Sequence, residues 1–284
     1  MPFRSVLYVP ASNLRAMEKA RSLPCDAVIY DLEDAVAPAA KEAARKSLGA
    51  ALAKAGSQGR TRLVRVNGLG SPWGDADLSA SEAWDCDGVV VPKVDGPADL
   101  DAVAVRTARP LWAMIETARG VLAANEICAH PRLAGIIMGT NDLAREIGLR
   151  ARADRMPLWT ALQGTLLAAR ARGVLAIDGV CNALDDTARL VAECEQGRDM
   201  GFDGKSLIHP AQIGAANRVF APSAEEIDLA RRQIAAHEAV LAQGQGVAVV
   251  DGEIVEALHI QSAQATLDLA RIIEAGITGK KVTS

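Results

Sequence analysis

Eight short apolar runs rich in β-branched residues punctuate the first three quarters of the chain. Most are followed by an alanine-rich stretch of helical character. The runs fall at 5–11 (SVLYVPA), 26–35 (DAVIYDLEDA), 61–68 (TRLVRVNG), 88–94 (GVVVPKV), 110–117 (PLWAMIET), 133–143 (LAGIIMGTNDL), 175–180 (LAIDGV) and 202–210 (FDGKSLIHP). Near-continuous apolar character, rather than clean alternation, marks strands covered on both faces. Eight strand–helix units within about 220 residues match the size of an α/β (β/α)8 TIM barrel. The rival is an open doubly wound sheet, which carries a glycine fingerprint between its first strand and helix. Here that turn reads VPASNLRAMEKA and contains no glycine. The one glycine-rich stretch, Gly68 to Gly74, follows the third run, has the wrong spacing and contains Pro72. The pattern predicts the barrel.

Local signals mark the intervening helices. Pro38 suits the first turn of the helix after the second run, and Gly56 suits its stop. Beyond Pro222 the alternation ends. Ser223 to Glu226 reads as a capping box opening a helix that runs to about Gln243. Asp251-Gly252 between two β-patterned runs reads as a hairpin turn, and a last helix stops at Gly276. The chain therefore divides into a catalytic barrel over 1–221 and a C-terminal helix–hairpin–helix extension over 222–284. Such an extension is expected to serve as an oligomer contact or an active-site lid.

Composition narrows the function. Half of the residues are hydrophobic but only 3% are aromatic, and alanine makes up about a fifth. That aliphatic mass suits small-residue helices packed on a Val/Ile sheet and excludes disorder, collagen and a disulfide scaffold. Net charge is −4 without any basic block, so no nucleic-acid partner is expected. No stretch approaches the ~20 apolar residues of a membrane span, and MPFRSVLYVPAS is too short an apolar run for a signal peptide. Cys25, Cys86, Cys128, Cys181 and Cys194 are scattered without CxxC and read as buried thiols of a cytoplasmic protein.

In a barrel the chemistry belongs at the C-terminal strand ends. Those positions hold Asp31, Glu33 and Asp34, then Arg65 and Asn67, Lys93, Glu116, Asn141 and Asp142, Asp178, and finally Asp203, Lys205 and His209. Carboxylates half-desolvated at a strand end need a counter-ion. Two are available: salt bridges from Arg65 and Lys93, or a divalent metal held by Glu116 and Asp142 on adjacent strands. Mg²⁺ takes one or two protein carboxylates and keeps its other positions for water and substrate. Position alone leaves both open.

The motifs VLYVPAS, YDLEDAVAPAAKEAAR, VRVNG, VVVPKV, MIETARGV, GTNDLA and DGKSLIHPAQI, in this order, resemble the HpcH/HpaI aldolase/citrate lyase β-subunit family, nearest its CitE-like and malyl-CoA lyase-like branch. The resemblance runs from residue 4 to about 215. It implies a Mg²⁺-dependent TIM barrel that cleaves or forms a carbon–carbon bond in a 3-hydroxyacyl-CoA thioester of malyl, citramalyl or citryl type, giving acetyl-CoA and a 2-oxo acid. It further implies that Glu116 and Asp142 hold Mg²⁺ and that Arg65 grips the 2-oxo acid. A bidentate guanidinium fork fits a carboxylate, and backbone N–H groups at Gly139 and Thr140 add further donors. Glu33 and Asp34 either move the proton or orient the metal's waters and Arg65. The aldolase branch uses a His base in its second βα region, and no His precedes His130 here.

In malyl-CoA lyase-like relatives a tail segment lends an Asp to the neighbouring subunit. Here Glu256 stands at that place in DGEIVEA, with Ala257 where the relatives carry proline; the plain alternative is a surface glutamate. Arg15 and Lys19, one turn apart on the first helix, either meet CoA phosphates or are simply solvated. Lys93 is open to a Schiff-base role but more simply pairs with neighbouring carboxylates. The resemblance suggests homo-trimers or hexamers. Two alternatives share the site: hydrolysis, making a malyl-CoA thioesterase, or a citryl-lyase subunit of a citrate lyase complex acting on an acyl-carrier thioester.

Overall fold

A computed structural model describes residues 2–54, 60–242, 244 and 247–276. Eight parallel strands close a barrel in chain order: β1 (Ser5–Pro10), β2 (Ala27–Asp31), β3 (Thr61–Arg65), β4 (Gly88–Val91), β5 (Leu111–Ile115), β6 (Leu133–Met138), β7 (Leu175–Asp178) and β8 (Gly204–Leu207). Between and after them run α1 (Leu14–Ala20), α2 (Lys41–Lys54), α3 (Gly74–Ser81), α4 (Pro97–Ala104), α5 (Ala118–Leu122), α6 (Ala124–Cys128), α7 (Thr140–Glu146), α8 (Trp159–Ala171), α9 (Thr187–Met200) and α10 (Ile213–Val219). The (β/α)8 barrel expected from the eight runs is the observed fold. Its strands are shorter than the runs because each run continues into the loop that leaves the barrel mouth.

Two apolar layers hold it. Between strands and helices lies a large aliphatic core that includes Leu7, Val28, Leu48, Leu100 and Ile136. Inside the barrel a smaller cluster gathers Phe3, Val6, Ile29, Leu63, Val90, Trp112, Met114, Ile137 and Ile177. The interior is therefore not purely aliphatic: Phe3 and Trp112 meet with ring centroids 5.2 Å apart. Gly135 makes room for this, since a Cβ there would overlap the Trp112 ring.

Strand side chains alternate between faces with period two. Given Val6, Ile29 and Leu63 inside the barrel, Tyr8, Asp31 and Arg65 must also point inward, one layer nearer the mouth. Glu116 follows Met114 by the same rule on the loop leaving β5. The apolar layer floors a polar one.

The described residues from Ala221 onward, with Pro2, form a second compact unit; the first is Phe3–Phe220. The second unit holds α11 (Ala224–Ala242), β9 (Ala248–Val250), β10 (Glu253–Val255) and α12 (Ala257–Glu274). The capping box is present: Ser223 N–H donates to Glu226 Oε2 at 2.7 Å, and Glu226 N–H to Ser223 Oγ at 3.1 Å. Asp251 and Gly252 take φ 54° and 86°, as a two-residue hairpin turn requires. Gly276 at φ 59° follows the last helix. The expected stops at Gly56 and Gln243 lie outside the described residues. All five cysteines are free and buried. Among the described residues no helix is long and apolar enough to cross a membrane.

Candidate active site

The mouth of the barrel opens into a cavity of about 420 Å³ lined by, among others, Tyr8, Asp31, Asp34, Arg65, Met114, Glu116, Gly139, Thr140, Asp142 and Ser206. Strand register explains its central ion pair. Asp31 and Arg65 are direct partners across β2 and β3, so an inward acid and an inward base stand side by side. Arg65 donates from Nε to Asp31 Oδ1 at 2.8 Å and from Nη2 to Asp31 Oδ2 at 2.6 Å. Its Nη1 lies 3.0 Å from Glu33 Oε2 and 3.5 Å from Met114 Sδ, and its guanidinium sits 5.2 Å from the Tyr8 ring centroid. This corrects one expectation. The bidentate edge of Arg65 is committed to Asp31, and Nη1 faces Glu33, so the guanidinium fork is already occupied within the protein.

The loop after β2 is pinned before it reaches the cavity. Asp31 accepts the N–H groups of Glu33 and Ala35 at 2.8 and 3.2 Å. Lys41, buried, donates to the carbonyls of Leu32 and Glu33 and to Asn67 Oδ1. Asn67 is thus a scaffold residue, tied also to Asp77. Glu33 spans the two cations, receiving Lys93 Nζ at 2.9 Å and facing Arg65 Nη1. Burial alone would raise its carboxyl, but Arg65, Lys93 and the Asp34 N–H outweigh that and hold it below the usual range. Asp34 is largely exposed, and its two cation neighbours are no closer than 4.0 Å. Burial and the adjacent Glu33 charge push it upward.

Glu116, just after β5, and Asp142, in the first turn of α7 after β6, both line the cavity. Glu116 is buried and accepts the Lys93 backbone N–H at 2.8 Å on Oε1. Burial, with a smaller push from Asp142, raises its carboxyl to about 7. Asp142 Oδ1 meets Arg145 at 3.0 Å, whereas its Oδ2 is buried without a hydrogen bond and has Lys93 Nζ at 3.4 Å. Gly139 contributes by lacking a side chain, since a Cβ would overlap Glu116 Cβ and Oε2. Its N–H donates to Ile115 O at 3.0 Å within the barrel and so is not a donor to substrate. Thr140 is buried on the cavity wall.

Other sequence candidates are sorted by where they point. Lys93 is held protonated: burial would lower its ammonium, but Glu33 raises it above the ordinary value. A Schiff-base lysine requires the opposite shift. Asp178 and Lys205 point outward into a buried network behind β7 and β8, Asp203 pairs with Arg170, and His209 caps the turn at Ala211. Arg15 and Lys19 are exposed on α1 and line a separate surface groove with Glu18 and Arg21. Glu256 belongs to the tail unit, exposed at the N-cap of α12. Tyr8, Met114 and Ser206 line the cavity without having been singled out. Counting inward parity along their strands would have found them.

The HpcH/HpaI aldolase/citrate lyase family profile matches residues 4–210. A (3S)-malyl-CoA thioesterase of Cereibacter sphaeroides is 58% identical over 275 residues, 96% of each chain. The citrate lyase subunit beta of Escherichia coli is 34% identical over 282 residues, 95% of this chain and 93% of the relative. Among solved structures, the CitE protein of Mycobacterium tuberculosis in complex with magnesium, acetoacetate and coenzyme A superposes with a TM-score of 0.82. It shares 32% identity and covers 95% of this chain and 98% of its own. The chain belongs to the HpcH/HpaI aldolase/citrate lyase family.

Proposed function

We propose that the chain hydrolyses a CoA thioester of the (3S)-malyl type in a Mg²⁺-dependent reaction, releasing free CoA and a hydroxy-dicarboxylic acid. The observation that carries this reading is the 58% identity to a (3S)-malyl-CoA thioesterase along nearly the whole of both chains. The sequence reading puts carbon–carbon cleavage first and hydrolysis second; the whole-length match supports hydrolysis over cleavage.

The residues present suit Mg²⁺. Glu116 and Asp142 offer hard oxygen donors, one of them the buried Asp142 Oδ2 that receives no hydrogen bond. Among the described residues no group of three or more His, Cys, Asp or Glu converges. Two carboxylates are what Mg²⁺ uses while retaining water and substrate. When bound there, Mg²⁺ supplies Lewis-acid polarisation and orientation of substrate oxygens. Arg65 Nη1 receives the carboxylate of the acyl group, while Asp31 fixes the guanidinium from its other edge. Asp34, exposed to the cavity and free of a tight cation, takes the proton of the attacking water. The new bond is carbon to oxygen, the broken bond carbon to sulfur, and the departing CoA sulfur takes up a proton. Glu33, tied to Arg65 and Lys93, positions both and does not shuttle. Arg15 and Lys19 offer exposed cations to the CoA phosphates. Glu256 enters as the acid the resemblance adds from a second copy within a homo-oligomer.

Purified protein given malyl-CoA and Mg²⁺ is expected to release one free thiol per substrate consumed, without acetyl-CoA. Accumulation of acetyl-CoA with a 2-oxo acid would overturn hydrolysis in favour of the lyase reading. Activity indifferent to chelator would overturn the metal assignment. Citramalyl- and citryl-CoA in parallel define the acyl group. A further expected result concerns Gly139→Ala, whose Cβ displaces Glu116. Turnover should fall about a hundredfold, the scale of an ångström-sized misplacement, as read from steady-state kinetics.

A further inference from the structure

Lys93 stands apart in its backbone. It follows Pro92 and takes φ 50°, one of three non-glycine residues among those described to adopt a positive φ. L-residues avoid that region, and it persists where surrounding contacts over-determine it. The left-handed turn accompanies an unusual division of labour. Its N–H donates to Glu116 Oε1 at 2.8 Å. Its ammonium donates to Glu33 Oε1 at 2.9 Å and lies 3.4 Å from Asp142 Oδ2, the buried oxygen without a hydrogen bond. One residue thus reaches both carboxylates assigned to the divalent cation, Glu116 through its backbone and Asp142 through its side chain.

We propose that Lys93 is a positioning residue carrying an internal competitor cation: its N–H fixes Glu116, and its ammonium opposes a divalent ion at Asp142 Oδ2. The inference rests on Glu116 and Asp142 being the cation's ligands. The full hydrogen bond to Glu33 gives the ammonium a resting place when the ion arrives. Two cations on one oxygen repel strongly at this range, so the ammonium keeps the divalent ion weakly held and exchangeable.

The test is titration with Mn²⁺ alone, followed by the electron paramagnetic resonance of the free ion. Mn²⁺ shares the oxygen preference of Mg²⁺. Lys93→Gly relieves the positive φ, keeps the N–H and deletes the ammonium. It should bind Mn²⁺ about three- to tenfold more tightly than wild type. Lys93→Met gives the same readout if the glycine variant does not fold, and Lys93→Arg, which keeps the charge, should stay near wild type. A purely structural role for Lys93 predicts weaker binding in every variant. Unchanged or weaker affinity in Lys93→Gly, or equal tightening in Lys93→Arg, overturns the assignment while leaving the metal site standing. Absence of Mn²⁺ uptake by wild type overturns both.

Discussion

Asp142→Asn is expected to lower turnover about a thousandfold or more while leaving the barrel folded. The two halves of that result have separate origins. For stability, Asp142 contributes little: its partner Arg145 is mostly exposed, and pairs open to solvent are worth roughly 0–1 kcal/mol. Its Oδ2 receives no hydrogen bond, so no folded-state donor is orphaned by the change. For function, the same oxygen belongs to one of the two carboxylates proposed to hold the cation, and Asn removes its charge without changing its shape. Lewis-acid stabilisation is worth several kcal/mol, and each factor of ten in rate takes about 1.4 kcal/mol. The check pairs a thermal unfolding curve, which should stay within a few degrees of wild type, with Mn²⁺ titration and steady-state kinetics. A variant that unfolds normally and keeps a tenth of its turnover at saturating Mg²⁺ would place the cation elsewhere.

The barrel was legible because its signals are local and repeated. Apolar runs of strand length, separated by helical stretches, have few ways to bury both faces. The tail was legible for the same reason: Ser223 with Glu226, and Asp251 with Gly252, are short-range chemistry that tertiary context did not override. What sequence could not settle was direction. Continuous apolar runs hide the parity of the strand, so Asp31 and Asp178 look equivalent at their strand ends. Yet Ile29 and Ile177 both face the barrel interior, which turns Asp31, two residues on, inward, and Asp178, one residue on, outward. Cross-strand register then supplies each with its base, Arg65 inside and Lys205 outside. The occupied fork of Arg65, the spent N–H of Gly139 and the left-handed Lys93 are likewise products of packing, with no local motif to announce them. Glu116 and Asp142 follow adjacent strands in the sequence, and both do line the one cavity; position alone left a metal and plain ion pairing open.

Lys205→Met should be the most damaging single change outside the cavity, costing about 3 kcal/mol or more of stability. Lys205 and Asp178 are both fully buried behind β7 and β8, 2.8 Å apart. Arg155 Nη1 lies 2.9 Å from each Asp178 oxygen, and Glu193 Oε2 lies 3.4 Å from the Lys205 ammonium. Methionine fills the volume of the lysine stem but leaves Asp178 with one compensating cation where it had two. The expected fall in unfolding temperature is about 6–12 °C for a unit of this size. The pH dependence follows with a definite sign. Burial alone would raise the Asp178 carboxyl, but Lys205 and then Arg155 outweigh it and hold it below the ordinary value. A carboxyl depressed on folding contributes fully above its unfolded value of about 4, and that contribution is lost as pH falls toward the folded value. Removing Lys205 raises the folded value, so the acid-unfolding midpoint should move to higher pH as well as the neutral stability falling. Adding Asp178→Asn to Lys205→Met discharges the stranded carboxylate, so the double variant should be less destabilised than the sum of its parts. Strict additivity of the two, measured by denaturant unfolding at neutral pH, would show that the pair is not energetically coupled and that packing alone sets the cost at Lys205.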